Sequence, residues 1–231
     1  FEYARRQELV NHSDYNLYNP FKKEYTSNIP PVDGFDNQLV SSHNASILAI
    51  RFSYTPEYFY RIYDGMKYYS HSRFPTFGLS YRKGINNLFG SDVNFDQLEF
   101  TVRQRINIRG VCTLNYRIAA GSLLNNEKTY FADYKHFGTN YPFLIGTSEE
   151  TLFRLLDYYD YSTNKNYFEG HVWLENDRII LKRLPVLNKT LMREFLYVNY
   201  LATTGNYPYF EAGYGLNQIF LMFNLEVFAG F

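Results

Sequence analysis

One stretch constrains the fold of this chain more than any other: the last, Gln218 to Phe231, QIFLMFNLEVFAGF. Its odd positions, Ile219, Leu221, Phe223, Leu225, Val227, Ala229 and Phe231, are all apolar. The even positions mix Gln218, Asn224 and Glu226 with Phe220, Met222, Phe228 and Gly230. A period of two with one side free of polar atoms specifies a β-strand that has a wholly apolar face. At the edge of a soluble sheet such a strand templates aggregation. In an outer-membrane β-barrel the neighbouring strand closes the edge and the apolar face meets lipid. The competing reading is a core strand of a soluble β-sandwich binding module.

Composition narrows the choice. Tyr (24) and Phe (21) far outnumber Trp (1), and such an aromatic excess suits the girdles at the two interfaces of a membrane barrel. Mean hydropathy is −0.38, and no run approaches the ~18 apolar residues of a transmembrane helix. A barrel passes both tests, because its lumen residues dilute the apolar face. The 23 basic and 23 acidic side chains cancel, which argues against nucleic acid as a partner. Cys112 is the sole cysteine, so neither an internal disulfide nor a cysteine-based zinc site can form. With no glycine-rich phosphate loop and no metal-ligand spacing, neither cofactor nor metal is expected. The opening FEYARRQELV has no leader-like pattern and reads as the middle of a longer chain.

Along the chain, residues 1–43 read as a weakly patterned first strand followed by a long outer loop marked by Asn19-Pro20, Pro30-Pro31 and Asp33-Gly34. Residues 44–231 read as a contiguous meander. Leu48, Ile50, Phe52 and Tyr54 oppose Arg51 and Ser53; Phe77, Leu79 and Tyr81 oppose Thr76, Ser80 and Arg82. Leu98, Phe100, Val102, Ile106 and Ile108 oppose Gln97, Glu99, Thr101, Arg103, Arg105 and Asn107. Leu114, Tyr116 and Ile118 oppose Thr113, Asn115 and Arg117; Phe168, Val172 and Leu174 oppose Glu169, His171 and Trp173. A strand is also expected over 151–162, although Arg154, Asp157 and Asp160 spoil both of its registers. With 193–202, 207–214 and the terminal strand, the count is about ten. The expected fold is therefore an all-β, antiparallel, transmembrane outer-membrane β-barrel over residues 1–231, completed by strands outside this chain. With the C-terminus periplasmic, the outward connections would be 11–43, 84–93, 124–148, 177–191 and a turn near Leu216-Asn217. The inward ones would be the short turns at Asp64-Gly65, Arg109-Gly110, Thr163–Lys165 and Thr204–Asn206, the loop-length asymmetry of outer-membrane barrels.

RFPTFGLSYRKGI, SDVNFDQLEF, DYKHFGTN, LDYYDYSTNKNYFEGH and RLPVLNKTLMREF, in this order, resemble an outer-membrane family of Bacteroidota. Its members carry a carboxypeptidase-regulatory-like domain upstream of a C-terminal barrel of unassigned function. The resemblance covers roughly residues 44–231. It implies the bacterial outer membrane as location, with membrane lipid (lipopolysaccharide outside), the barrel-assembly machinery and other envelope proteins as partners. Leu221, Phe223, Leu225, Val227 and Phe231 would then form the C-terminal assembly signal. A looser likeness is to assembly barrels of the BamA/TamA type, in which a long loop five strands before the C-terminus folds into the lumen. Here loop 124–148 occupies that place, with Lys135-His136-Phe137-Gly138 where those barrels carry Arg-Gly-aromatic.

Charge separates on the expected lumen face. A basic wall carries Arg51, Arg82, Arg103, Arg105 and Arg117, with Glu99 as its one acid; an acidic wall carries Glu169, Glu175, Glu211 and Glu226. Facing walls of opposite sign can orient polar solutes or anchor an inserted loop, or merely satisfy one another across strands. Loop residues 130–140 are expected to fold inward, with Lys135 or His136 contacting Glu169 and with Asp133 and Phe137 beside them. No catalytic set stands out: the histidines fall on separate elements, and no Ser-His-Asp or paired-carboxylate spacing appears. The leading functional reading is a non-enzymatic envelope protein acting in transport, insertion or assembly. The runner-up is an outer-membrane protease or lipase with its site on the outer loops.

Overall fold

Alternation governs every long element of the computed structural model, which describes residues 1–7, 40–108, 112–139, 151–185, 187–219 and 221–231. The strands are β1 (Glu2–Arg6), β2 (His43–Tyr54), β3 (Tyr58–Tyr63), β4 (Met66–Ser72), β5 (Thr76–Gly84), β6 (Asn94–Ile108), β7 (Cys112–Lys128), β8 (Tyr167–Asn176), β9 (Arg193–Thr203), β10 (Tyr209–Ile219) and β11 (Phe223–Gly230). Nine of them form one antiparallel sheet in the order β1-β2-β5-β6-β7-β8-β9-β10-β11, and β3 and β4 form a separate hairpin. The fold is all-β, and no helix among the described residues is long and apolar enough to cross a membrane. The sheet has two edges, β1 and β11, which are not paired with each other.

The two faces of the sheet are unlike, and in an inverted sense. On β8, Tyr167, Glu169, His171 and Trp173 are buried while Phe168 and Val172 are exposed. From β8 to β10 the face that carries the charges is thus the covered one, with His171 and Glu211 at 0% exposure, whereas Arg51, Arg103 and Arg105 of the same face are exposed. The apolar face is open: Phe52 is 64% exposed, Phe100 46% and Val227 65%. We call the covered face inner and the apolar face outer. Three apolar clusters lie on the inner side. The largest joins Phe137, Phe153, Leu156, Tyr167 and Leu201, and the others centre on Val93 and Phe95 and on Trp173, Phe195 and Tyr197.

Several expectations are corrected. Residues 151–162 form no strand. Tyr159 adopts φ +66°, and the Arg154 and Leu155 N–H groups donate to the Glu211 side-chain carboxylate rather than to the backbone of a neighbouring strand. The three charges that spoil both registers leave that segment no face to bury. Among the described residues of 129–166, no strand therefore stands between β7 and β8. The terminal alternation, too, is not one strand: Gln218 (φ +62°) and Leu221 (φ +66°) turn the chain, so Ile219 ends β10 and the last strand begins at Phe223. Leu221 belongs to the turn, not to the terminal strand. A hairpin tip as apolar as its arms hides the turn from a period-two reading.

These changes shift the parity of the connections. The end carrying Phe231 now has connections 7–42, 85–93, 129–166 and 204–208, and the other end has 55–75, 109–111, 177–192 and 220–222. Long and short connections occur at both ends, so the loop-length asymmetry does not hold. Most of the expected loop 11–43, and the turn Arg109-Gly110, lie outside the described residues.

Candidate functional site

Cross-strand pairing lines the inner face with one transverse row. Arg103 on β6 stands opposite Arg117 on β7, which stands opposite His171 on β8, followed by Asn199 on β9 and Glu211 on β10. Directly opposite residues share a face, so this row passes from cation to anion across five strands. A parallel row, nearer the Phe231 end, runs Ser80, Glu99, Gly121, Tyr167. Arg51 is opposite Ser80, Arg82 opposite Gln97 and Arg105 opposite Asn115. Glu169 faces Ala119 and Glu175 faces Thr113, while Glu226 faces Gly215. All the residues of the two expected walls thus have inner-face parity.

Over this face lies the β7–β8 connection, as two described segments, 129–139 and 151–166. It reaches both edges of the sheet. At one edge Arg6 on β1 donates to Asp133 at 2.7 Å, and Tyr130 stacks on His43 of β2. At the other, Arg154 lies 3.4 Å from Glu226 on β11 and over the Phe228 ring. Between these ties, Lys135 bridges antiparallel to Thr163 through the backbone, and Phe137 and Phe153 pack on Tyr167 and His171. We refer to this connection as the strap.

Lys135 is where the strap meets the charges. Its Nζ lies 2.6 Å from Glu99 Oε2 and 3.8 Å from Glu169 Oε1. The nearer partner is therefore Glu99, the acid of the basic wall, and not Glu169. Glu169 is held chiefly by Arg117, and Glu99 also accepts from the Tyr167 hydroxyl. Glycine at 121 is required here, because a Cβ would run into the Tyr167 ring.

His136 does not contact the acidic wall. Its Nε2 is 2.9 Å from the Phe131 carbonyl and its Nδ1 is 2.8 Å from Ser162 Oγ. The carbonyl can only accept, so Nε2 carries the proton and Nδ1 accepts from Ser162. Burial pushes the His136 pKa below the ordinary imidazole value, with Arg82 and Lys135 adding to this and the Phe131 carbonyl opposing it. A serine–histidine contact of this kind lacks the third group that would orient the ring as a base, since a backbone carbonyl holds the other nitrogen. Among the described residues no three metal-ligating side chains cluster.

The two walls differ in how far they are used. Every acid of the acidic wall is engaged. Glu211 accepts from the Arg154 and Leu155 N–H groups, Asn199 Nδ2 and the Tyr209 hydroxyl. Glu226 holds Arg154 and Tyr197, and Glu175 pairs with Arg193. On the basic wall only Arg117 has an acidic partner; Arg51, Arg82, Arg103 and Arg105 have none among the described residues. Arg82 donates to the neutral Gln97 side chain at 3.0 Å.

A family model matches residues 1–216, described as the C-terminal domain of a family of unknown function (DUF5686). The chain belongs to this family. No curated protein and no solved structure matches it. In this DUF5686 domain the matched span takes in the strap and both walls as far as Glu211, and stops within β10. The looser likeness to BamA/TamA-type barrels loses its positional basis, because four strands, β8 to β11, follow the strap rather than five.

Four residues of the DUF5686 site escaped the pattern of the sequence. Arg6 and Arg154 anchor the two ends of the strap, and Asn199 and Tyr167 complete the Glu211 and Glu99 networks. Glu99 carried a signal: a lone acid among arginines calls for a cation of its own. So did Arg154, a charge in an otherwise apolar run.

Glu194 follows a different logic. It has outer-face parity yet 0% exposure, because the 177–192 connection folds over it. Its carboxylate accepts from the Ile180 and Lys182 N–H groups and from the Tyr214 hydroxyl.

Proposed function

We propose that this domain is part of the wall of an outer-membrane β-barrel, and that it acts without catalysis in the transport, insertion or assembly of envelope components. The observation that carries this reading is the inverted burial of the sheet. In a soluble β-sandwich the apolar faces pack together and the polar faces meet water. Here the apolar face is the bare one, and among the described residues no second sheet covers it. An apolar surface that extends across a whole sheet marks a membrane or partner interface, and lipid is the solvent that needs no complementary shape. The free edges at β1 and β11 fit a barrel closed by further strands, since open edges do not survive in a bilayer. Phe223, Leu225, Val227 and Phe231 would then face lipid near the terminus and serve the assembly machinery, and the strap would plug the lumen.

Spin labels test the arrangement directly. Labels at Val102, Ile118, Val172 and Leu225 are expected to be accessible to lipid-soluble relaxants. Labels at Arg103 and Glu169 are expected to respond to polar relaxants or to neither. A chain that stays monodisperse without detergent, or a label at Val102 seen only by polar reagents, would overturn the proposal. The hydrolase reading is tested at the Ser162–His136 contact by esterase and protease assays on wild type and His136→Ala: turnover lost in the variant would replace the non-catalytic reading.

A further inference from the structure

The inner face holds a cavity of about 410 Å³ between β2, β5, β6 and β7, closed on one side by the strap. Its charged lining is Arg51, Arg82, Arg103, Arg117, Lys135 and Glu99. The acid is taken, because Glu99 is bound by Lys135 and by the Tyr167 hydroxyl. Arg117 is neutralised by Glu169. Three guanidinium groups, on Arg51, Arg82 and Arg103, are left facing one space with no acidic partner among the described residues.

Folding does not ask for this arrangement. Arg103 stands directly opposite Arg117, and like charges in opposed positions destabilise a sheet. A sheet face that gathers cations at a cost to itself, while every carboxylate of the neighbouring half is met by a cation or by hydrogen-bond donors, points to a ligand that brings the missing negative charge. Guanidinium groups bind oxyanions through paired N–H donors and keep their charge at every physiological pH. The hydroxyls of Ser53, Ser80 and Thr101 on the same wall add short donors. Several positive forks with hydroxyls between them match the many acceptor oxygens of a phosphate better than the two of a carboxylate. The volume falls in the range of small-ligand sites, about 300–1,000 Å³, which admits a phosphorylated sugar or the headgroup of an anionic lipid.

We propose that this cavity binds a phosphate-bearing ligand, held by Arg51, Arg82 and Arg103, with Lys135 of the strap at its rim. The inference does not depend on the outer face meeting lipid. It also ties the strap to the ligand, because Lys135 links the covered acidic half to the open basic half through Glu99.

Calorimetric titration of the full chain in a neutral detergent with glucose 6-phosphate tests the site. Saturable binding is expected, weakened at least tenfold by the double substitution Arg51→Gln and Arg103→Gln. The exposed Arg61→Gln on the β3–β4 hairpin should leave it unchanged. Arg103→Lys, which keeps the charge and loses the fork, should fall between the double variant and wild type and guards against a folding artefact. A parallel measurement uses nanodiscs of phosphatidylcholine with and without phosphatidic acid. Displacement of glucose 6-phosphate by phosphatidic acid, dependent on the same arginines, would name a lipid headgroup as the source. Binding confined to glucose 6-phosphate would name a soluble one. Either result supports the site. Equal binding by wild type and the double variant, or no binding of either probe, would overturn it without touching the membrane reading of the outer face.

Discussion

The inner face divides into two halves that share one backbone and one transverse row of side chains, yet are treated differently. From β8 to β11 the strap covers the face, and each carboxylate is matched by a donor from the strap or from a neighbouring strand. From β2 to β7 the face opens onto a cavity, where Arg51, Arg82 and Arg103 gather with no acidic partner among the described residues. Burial explains the difference. A charge removed from water must be paired or hydrogen-bonded, so each carboxylate of the covered half has to be met by cations or N–H and O–H donors. The open half keeps water and is free to carry an unbalanced charge. Stability is therefore concentrated on one half, and the capacity to bind a new partner on the other.

The sharpest way to break this contrast is at Glu211. Its carboxylate serves two backbone N–H groups of the strap, Asn199 and Tyr209. Glu211→Ala would strand all four donors in a dry site and is expected to cost about 3–5 kcal/mol. Urea unfolding in detergent would read the loss, and limited proteolysis should show cleavage within the strap. If Glu211→Ala unfolds at the wild-type midpoint, the covered half is not the stabilising one.

How much of this could be read from the chain follows the same division. The alternation of Phe100, Val102, Tyr116, Ile118, Val172 and Leu174 against Arg103, Arg117 and Glu169 depends only on strand geometry, and the pairing of β6, β7 and β8 keeps those residues in that register. The strap obeys no period. Arg154 is held by Glu226, a residue 72 positions further along the chain, and such a partner is set by tertiary packing. The charges of 151–162 that spoiled every strand register were evidence against a strand there. Glu194 shows the limit of parity in the other direction: its position belongs to the apolar face, and local N–H groups of the 177–192 connection bury its carboxylate.

Lys135 sits at the junction of the two halves, and its removal should be felt less than that of Glu211. Lys135→Met keeps an unbranched apolar side chain and deletes the ammonium group, which pairs with Glu99 and lies over the Tyr167 ring. Glu99 retains the Tyr167 hydroxyl and Glu169 retains Arg117, so the expected cost is about 1–3 kcal/mol. In a double-mutant cycle with Glu99→Gln the two changes should be markedly non-additive. Additivity would mean that Lys135 is held by the strap alone.

A smaller, pH-dependent effect is expected at His136. An unfolded imidazole titrates near about 6.5, and burial holds the folded one lower. Between the two values the unfolded state binds more protons, so the contribution of His136 is complete above the unfolded value and is lost as pH falls through the folded one. Proteolysis of residues 130–139 should accordingly quicken on acidification below about 6.5, and His136→Gln should flatten the profile. An unchanged profile would place the pH sensitivity elsewhere.

The smallest effect belongs to the open half, and there the contrast is sharpest. Arg103 is exposed, has no acidic partner among the described residues and faces Arg117 directly. Arg103→Gln removes a like-charge contact and breaks no ion pair. Stability should change by no more than about 0.5 kcal/mol, and in the favourable direction at low ionic strength. The gain should vanish once salt shortens the screening length to about 8 Å or less. Unfolding curves at two salt concentrations are sufficient to see it. A loss above about 1 kcal/mol would show that Arg103 has a structural task like that of Glu211, and the division between the halves would fail. If the substitution is neutral or stabilising, folding gives no reason for three guanidiniums without an acidic partner among the described residues to meet in one cavity, and the reason has to lie in what the cavity receives.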